Sequence, residues 1–166
     1  LDAGDPVTYS QIRQTPLDHW DRVLAHMSSL AGHIATQKTS CVLGIGWVVT
    51  PRNWQGIVDG VRVCAESGAR YVRMSAEFNP LGTNIYTEPV DIWDDIKALI
   101  EEAKRRYESP SFTVFDLFRD RMQDLKDGPP DYSVCAHQYY THYIGGDLRA
   151  YRCCVLAYNT RGLIAG

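Results

Sequence analysis

The sequence predicts an α/β protein: an α/β sheet or part of a β/α barrel over residues 1–126, then a small cysteine-containing β-hairpin region over 127–166. Three observations lead there. Short apolar strands alternate with amphipathic helices through the first two thirds of the chain, and connections of that length imply parallel pairing. Asp127-Gly128-Pro129-Pro130 reads as a linker. Beyond it the helical periodicity gives way to a tyrosine-rich stretch with hairpin spacing around Gly145-Gly146-Asp147.

Each element has its own signal. Leu1-Asp2-Ala3-Gly4 reads as the end of a strand running into a turn, and both ends of the chain are expected to be internal to a longer protein. Asp5-Pro6 suits an N-cap and first helical position, starting a short helix through Ile12. From Thr15-Pro16 a longer helix carries Leu17, Trp20, Val23, Leu24, Met27, Leu30 and Ile34 on one apolar face. His19, His26 and His33 lie along it two turns apart, about 10.5 Å, too far to share an ion, and read as surface or boundary residues.

Cys41 to Val49 is a nearly continuous apolar strand, the pattern of a parallel sheet covered on both faces. Asn53 is placed to cap a helix running to Ser67, which Gly68 ends. Ala69 to Ala76 is the next strand, Glu77 to Glu88 a loop, Pro89 to Tyr107 a helix and Phe112 to Phe115 a further strand. Cys41 and Cys64 sit in apolar strand and helix contexts and read as core.

Composition narrows the function classes. With 166 residues, 45% hydrophobic and 22% charged, the chain suffices for one domain with a core, or a domain plus a small appendage. A net charge of -3 gives no reason to expect a nucleic-acid partner. The longest apolar run, Cys41 to Val49, falls well short of the roughly 20 residues a membrane helix needs, and no basic-then-apolar leader opens the chain. A cytoplasmic location is expected. Five cysteines, spaced at 23, 71, 18 and 1, do not form the dense framework of a small secreted domain.

The residues with chemical potential fall in two groups. Cys135 precedes the hairpin and Cys153-Cys154 follow it, so the turn can bring distant thiolates to one centre. Neighbouring residues of a regular strand point to opposite sides, which makes the adjacent pair one ligand plus one spare. His137 and His142 lie between the thiols, as ligands of a mixed site or as buried structural residues. In the first two thirds, Arg73 stands inside an apolar strand and needs an anionic partner, and Ser75 and Glu77 share its alternation.

Leu1-Asp2-Ala3-Gly4 followed by Thr8-Tyr9 and Ile12-Arg13 resembles the fourth-strand segment of radical S-adenosylmethionine enzymes. The stretches Gly44-Ile45-Gly46-Trp47-Val48-Val49-Thr50-Pro51-Arg52-Asn53 and Gly68-Ala69-Arg70-Tyr71-Val72-Arg73 resemble the fifth and sixth strands of that partial barrel. Cys135, the Ile144-Gly145-Gly146-Asp147 turn, Cys153-Cys154 and Arg161-Gly162-Leu163 are similar to the opening of a SPASM-type auxiliary cluster domain. The resemblance covers nearly the whole chain. It departs in two places: the C-x3-C-x2-C that holds the catalytic [4Fe-4S] cluster is absent from this sequence, and so is the later SPASM cysteine block.

The resemblance implies the C-terminal part of a partial (β/α)6 barrel joined to the start of a SPASM region. It implies reductive cleavage of S-adenosylmethionine to a 5'-deoxyadenosyl radical and hydrogen abstraction from a small-molecule or peptide substrate. A flavodoxin or ferredoxin would supply the electron. Cofactor contacts would come from Asp2, Gly44, Gly46, Trp47, Asn53, Arg73 and Ser75, and an auxiliary iron-sulfur cluster would take Cys135 with Cys153 or Cys154. For Asp2 a turn-forming role stands beside the ligand role, and for Asn53 a plain helix cap. The alternative from another class is a non-enzymatic binding module with a zinc site of Cys135, His137, Cys153 and Cys154.

Overall fold

The computed structural model describes residues 1–37, 39–77, 91–118 and 135–165. The chain divides into two compact units, Leu1–Lys126 and Asp127–Gly166. Among the described residues no helix is long and apolar enough to cross a membrane.

In the first unit, α1 (Pro6–Arg13) starts because Oδ1 of Asp5 accepts the main-chain N–H groups of Val7 and Thr8, both at 2.9 Å. It ends where Gln14 turns into the left-handed region at φ 53°. A turn places α2 (His19–Gln37), whose buried face is narrower than its periodicity suggests: Trp20 and Met27 are buried, while Leu17 and Leu30 are exposed. Its histidines lie at the boundary (His19) or the surface (His26 and His33).

Next come β1 (Gly44–Val49), a single 3-10 turn (Trp54–Gly56), α3 (Ile57–Glu66), β2 (Tyr71–Ala76), α4 (Trp93–Tyr107) and β3 (Thr113–Asp116). Gly68 ends the α3 segment at φ 81°, a conformation that only glycine adopts without cost. The helix expected from Pro89 has its first described turn at Trp93, whose N–H is taken by Oδ1 of Asp91 at 3.0 Å. The expected linker at 127–130 lies outside the described residues, as does the loop after Glu77.

All three strands are parallel, in the order β1-β2-β3, with Gly46, Arg73 and Phe115 sharing one row. Their core-facing residues, Ile45, Trp47, Val49, Val72, Met74 and Val114, pack with Ile57, Val61, Ile96 and Ile100 of α3 and α4. The opposite face corrects the expectation of a sheet covered on both sides. Along β1 burial alternates residue by residue, and Val48 and Phe115 remain 39% and 47% exposed. The continuous apolar run of β1 conceals this because both glycines, Gly44 and Gly46, fall on the open face. Cys64 is fully buried as expected, but Cys41 precedes the strand and is exposed.

The second unit contains β4 (Tyr143–Ile144), β5 (Ala150–Tyr151) and β6 (Leu163–Ala165), an antiparallel sheet in that order, preceded by one helical turn at His137–Tyr140. The hairpin turn closes through Gly145 N–H to Arg149 O at 2.9 Å, with Leu148 in the left-handed region. Asp147 then accepts the Tyr151 hydroxyl at 2.5 Å. That bond holds the carboxyl of Asp147 below the usual carboxylate range and pushes the Tyr151 phenol up. The Tyr158 hydroxyl accepts Gly146 N–H at 2.9 Å while its ring lies 5.6 Å from that of Tyr151. Two tyrosines and one carboxylate thus tie the hairpin turn to β5 and to the segment after it.

Two outcomes follow. Burial would raise the Asp5 carboxyl, but hydrogen bonds from Thr8 and Val7 outweigh it and hold the group low. A folded pKa below the unfolded one stabilises the fold above about pH 3.8, and this is lost as pH falls through the folded value. Asp5→Ala should cost about 1 kcal/mol at neutral pH in urea unfolding, and the difference should shrink in acid. Burial pushes the Cys64 thiol up to about 12. In the native chain at pH 8, iodoacetamide should therefore modify Cys41 and Cys154 but leave Cys64 intact, as peptide mass mapping will report.

Candidate functional site

The carboxyl ends of parallel strands are where α/β proteins place ligands. At that end of β1, Asp2 is buried in the left-handed region at φ 63°, unusual for a residue with a side chain. Its Oδ1 accepts Val48 N–H at 2.7 Å and its Oδ2 accepts from Arg13 at 2.5 Å. Both oxygens are engaged by the protein itself. Leu1 lies along the free edge of β1, its nitrogen donating to Gly46 O at 2.8 Å.

Asn53 is 1% exposed and spends its whole amide on main chain. Nδ2 donates to Asp2 O at 3.0 Å and Val48 O at 2.9 Å, while Oδ1 accepts Thr50 N–H at 2.7 Å. It makes no side-chain capping bond to the 3-10 turn that follows, so the expected cap is instead a clamp. Thr50 Oγ1 accepts Arg52 N–H at 3.2 Å, completing the turn.

The other residues proposed from sequence separate by sheet face. Trp47 points into the core and is fully buried. Its ring lies so close to α3 that a Cβ at Gly60 would overlap it. Gly44 is covered by the Tyr71 ring, which occupies the space a side chain there would need. Gly46 has open space above it. Arg73 stands beside it in the same row, exposed, and forms no hydrogen bond or ion pair with its side chain among the described residues. Phe115 flanks Arg73 on the other side, edge-on to Tyr71 at 5.5 Å. Ser75 shares the open face one row nearer the carboxyl end, its hydroxyl donating to Trp47 O at 3.4 Å. Glu77 follows β2, its N–H bonded to Val49 O.

The sheet therefore gathers Gly46, Arg73, Ser75, Val48, Tyr71 and Phe115 on one open surface. It does not gather Asp2, Trp47 or Asn53 there. Tyr71, Val48 and Phe115 carry only the alternation of a strand as signal in the sequence; the register that lines up three separated segments is a tertiary fact. A carboxylate or phosphate would find on this surface a guanidinium without a partner among the described residues, with apolar and aromatic neighbours and one unobstructed position.

In the second unit Cys135 and Cys153 are partly exposed and Cys154 is exposed, all as free thiols. Cys135 O accepts Gln138 N–H at the helical turn, whereas Cys153 and Cys154 follow β5. Among the described residues no group of three or more His, Cys, Asp or Glu side chains is placed to hold a metal ion. His142 is exposed, against the expectation of a buried structural histidine. The His137 side chain lies outside what is described. The donors on view thus fall short of the four that structural zinc or an iron-sulfur cluster needs.

Comparison of the chain with protein-family models, curated proteins and solved structures gave no match.

The clamp yields a quantitative expectation. Asn53→Ala would strand two buried carbonyls and one N–H, and removal of a buried partner costs about 1–3 kcal/mol for each group left unpaired. Urea unfolding should show a loss of at least about 2 kcal/mol. Asn53→Asp, which keeps the Thr50 bond but sets a buried carboxylate oxygen against the two carbonyls, should cost at least as much.

Proposed function

We propose that this chain is part of a radical S-adenosylmethionine enzyme and that the open face of the β1-β2-β3 sheet lines its ligand cavity. The observation that carries the reading is a parallel sheet that, among the described residues, is covered by helices on one side only, with Arg73 exposed on the other side and without a side-chain partner there. Parallel sheets are normally covered on both faces, and those that line a barrel turn their second face inward. The placement of Leu1 along the free edge of β1 supports the same reading, since it runs where a preceding parallel strand would end.

Within this reading Arg73 takes the carboxylate of the cofactor, Gly46 leaves room for it, and Ser75 offers a hydroxyl one row closer to the rim. Asp2 and Asn53 act differently from what the family resemblance suggests. They fix the main chain of Val48 and Thr50, and so shape the rim without touching a ligand. Bound here, S-adenosylmethionine would supply radical chemistry for hydrogen abstraction, with Arg73, Ser75 and Gly46 as the residues that would hold it. The thiolates for the catalytic [4Fe-4S] cluster are not in this sequence. Tyr71 and Phe115 would offer that ligand an aromatic surface beside Arg73. An auxiliary cluster in the second unit would draw on Cys135 and the Cys153-Cys154 pair together with thiolates from outside this sequence.

The reading frame upstream of Leu1 should encode C-x3-C-x2-C; a full-length gene without it defeats the proposal. In the protein so encoded, reconstituted anaerobically, Arg73→Ala should weaken S-adenosylmethionine retention about 10- to 100-fold in equilibrium dialysis, the weight of one charge-assisted hydrogen bond. Thermal unfolding should be unchanged because the side chain is exposed.

A further inference from the structure

Helix α2 meets the amino end of the β1-β2-β3 sheet with small side chains. Ala31, Ile34 and Ala35 stand three and four residues apart on one face, and two of the three end at Cβ. The approach of the helix is fixed nearby, where a Cβ at Gly68 would fall 2.8 Å from that of Ala31. On the strand side, Arg70 N–H donates to Leu43 O at 2.7 Å and joins the segments that enter β1 and β2. The alanines are too short to fill the space left over. A cleft of about 270 Å³ remains, lined by this face of α2 and, across from it, by Cys41, Val42, Leu43 and Arg70.

The lining carries one charge. Strand alternation puts Arg70 in line with the buried Val72 and Met74, on the helix-covered side of the sheet. It is exposed there, at the end of the helix cover, and its side chain makes no hydrogen bond or ion pair among the described residues. Val42, in the same lining, is 58% exposed. The cleft therefore offers an uncovered apolar wall beside a cation that no protein group neutralises.

We propose that this cleft binds a medium-chain monocarboxylate, with the chain against α2 and Leu43 and the carboxylate on Arg70. Charge complementarity selects the head group: a guanidinium holds a carboxylate by paired charge-assisted bonds, repels an amine and gains no such bond from an alcohol. Volume selects the tail. At about 30 Å³ for each water-sized unit the cleft takes roughly nine of them, the size class of octanoate and not of a long fatty acid. The site lies at the amino end of the strands and on the helix side, whereas Arg73 stands on the open face. It neither needs nor supports the radical-enzyme reading.

Cys41 supplies the readout, because its thiol is exposed and lines the cleft, while Cys154 is an exposed thiol of the second unit. Octanoate should slow the alkylation of Cys41 by iodoacetamide, followed residue by residue in peptide mass mapping, and leave the rate at Cys154 unchanged. Acetate, which lacks the tail, and octanol, which lacks the charge, should give no protection at the same concentration. Arg70→Ala should raise the octanoate concentration needed for protection about 10- to 100-fold, the weight of one charge-assisted hydrogen bond. The Arg70 side chain is exposed, so its removal leaves the fold intact, which circular dichroism will verify. Ala35→Phe fills the cleft and should abolish the response to octanoate; should that variant fail to fold, Arg70→Ala decides alone. No protection of Cys41 by octanoate, equal protection by octanol, equal protection of Cys154, indifference to Arg70→Ala, or an undiminished response in folded Ala35→Phe would each overturn the proposal.

Discussion

The amide of Asn53 ties together three stretches of main chain with one buried side chain. It joins the segment at Asp2, the end of β1 at Val48 and the turn at Thr50. Each bond contributes roughly 0.5–1.5 kcal/mol net, but the penalty for leaving these buried groups unpaired is what makes the geometry unique. Asp2 completes the constraint by holding Val48 N–H with one oxygen and Arg13 with the other. The strained φ of Asp2 persists because this network over-determines it. The end of β1, and with it the rim of the sheet, is rigid for that reason.

From this fixed rim the sheet extends with one dry and one bare face. On the dry side Trp47, Met74, Ile57 and Ile100 are fully buried, and the close approach of Trp47 to Gly60 brings α3 down onto the strands. On the bare side the same alternation presents Val48, Ser75, Arg73 and Phe115. A guanidinium in such a row has no intrinsic reason to be there for stability, since an apolar residue would serve the strand as well. Arg73 lies exposed on that face beside Gly46 and Ser75, whereas the polar groups of the cluster at Asn53 are already spent on main chain.

The second unit solves a different problem. Among its described residues Asp147, Tyr151, Tyr158 and Gly146 close the hairpin with a connected polar network. Its thiols are partly exposed at Cys135 and Cys153 and exposed at Cys154. Cys153 and Cys154 are thus available for ligation in a way that Cys64, sealed among apolar neighbours in the first unit, is not.

Element order was legible in the sequence because periodicity and punctuation are local: the helix after Asp5-Pro6, the α3 segment closed by Gly68, and the hairpin at Gly145 all carry their signals within a few residues. Strand ends were less legible, and β1 starts at Gly44, not Cys41, since an apolar run does not reveal which residues find a partner strand. Arg73, Ser75 and Gly46 were visible as candidates from residue type and alternation alone. What only the tertiary structure decided is which candidates share a surface. Asp2 and Asn53 turned inward because buried main-chain groups of β1 needed partners, and Trp47 turned to the core because odd positions of β1 face α3 and α4. In each case a local signal named the residue, and long-range hydrogen bonding and packing determined where its side chain points.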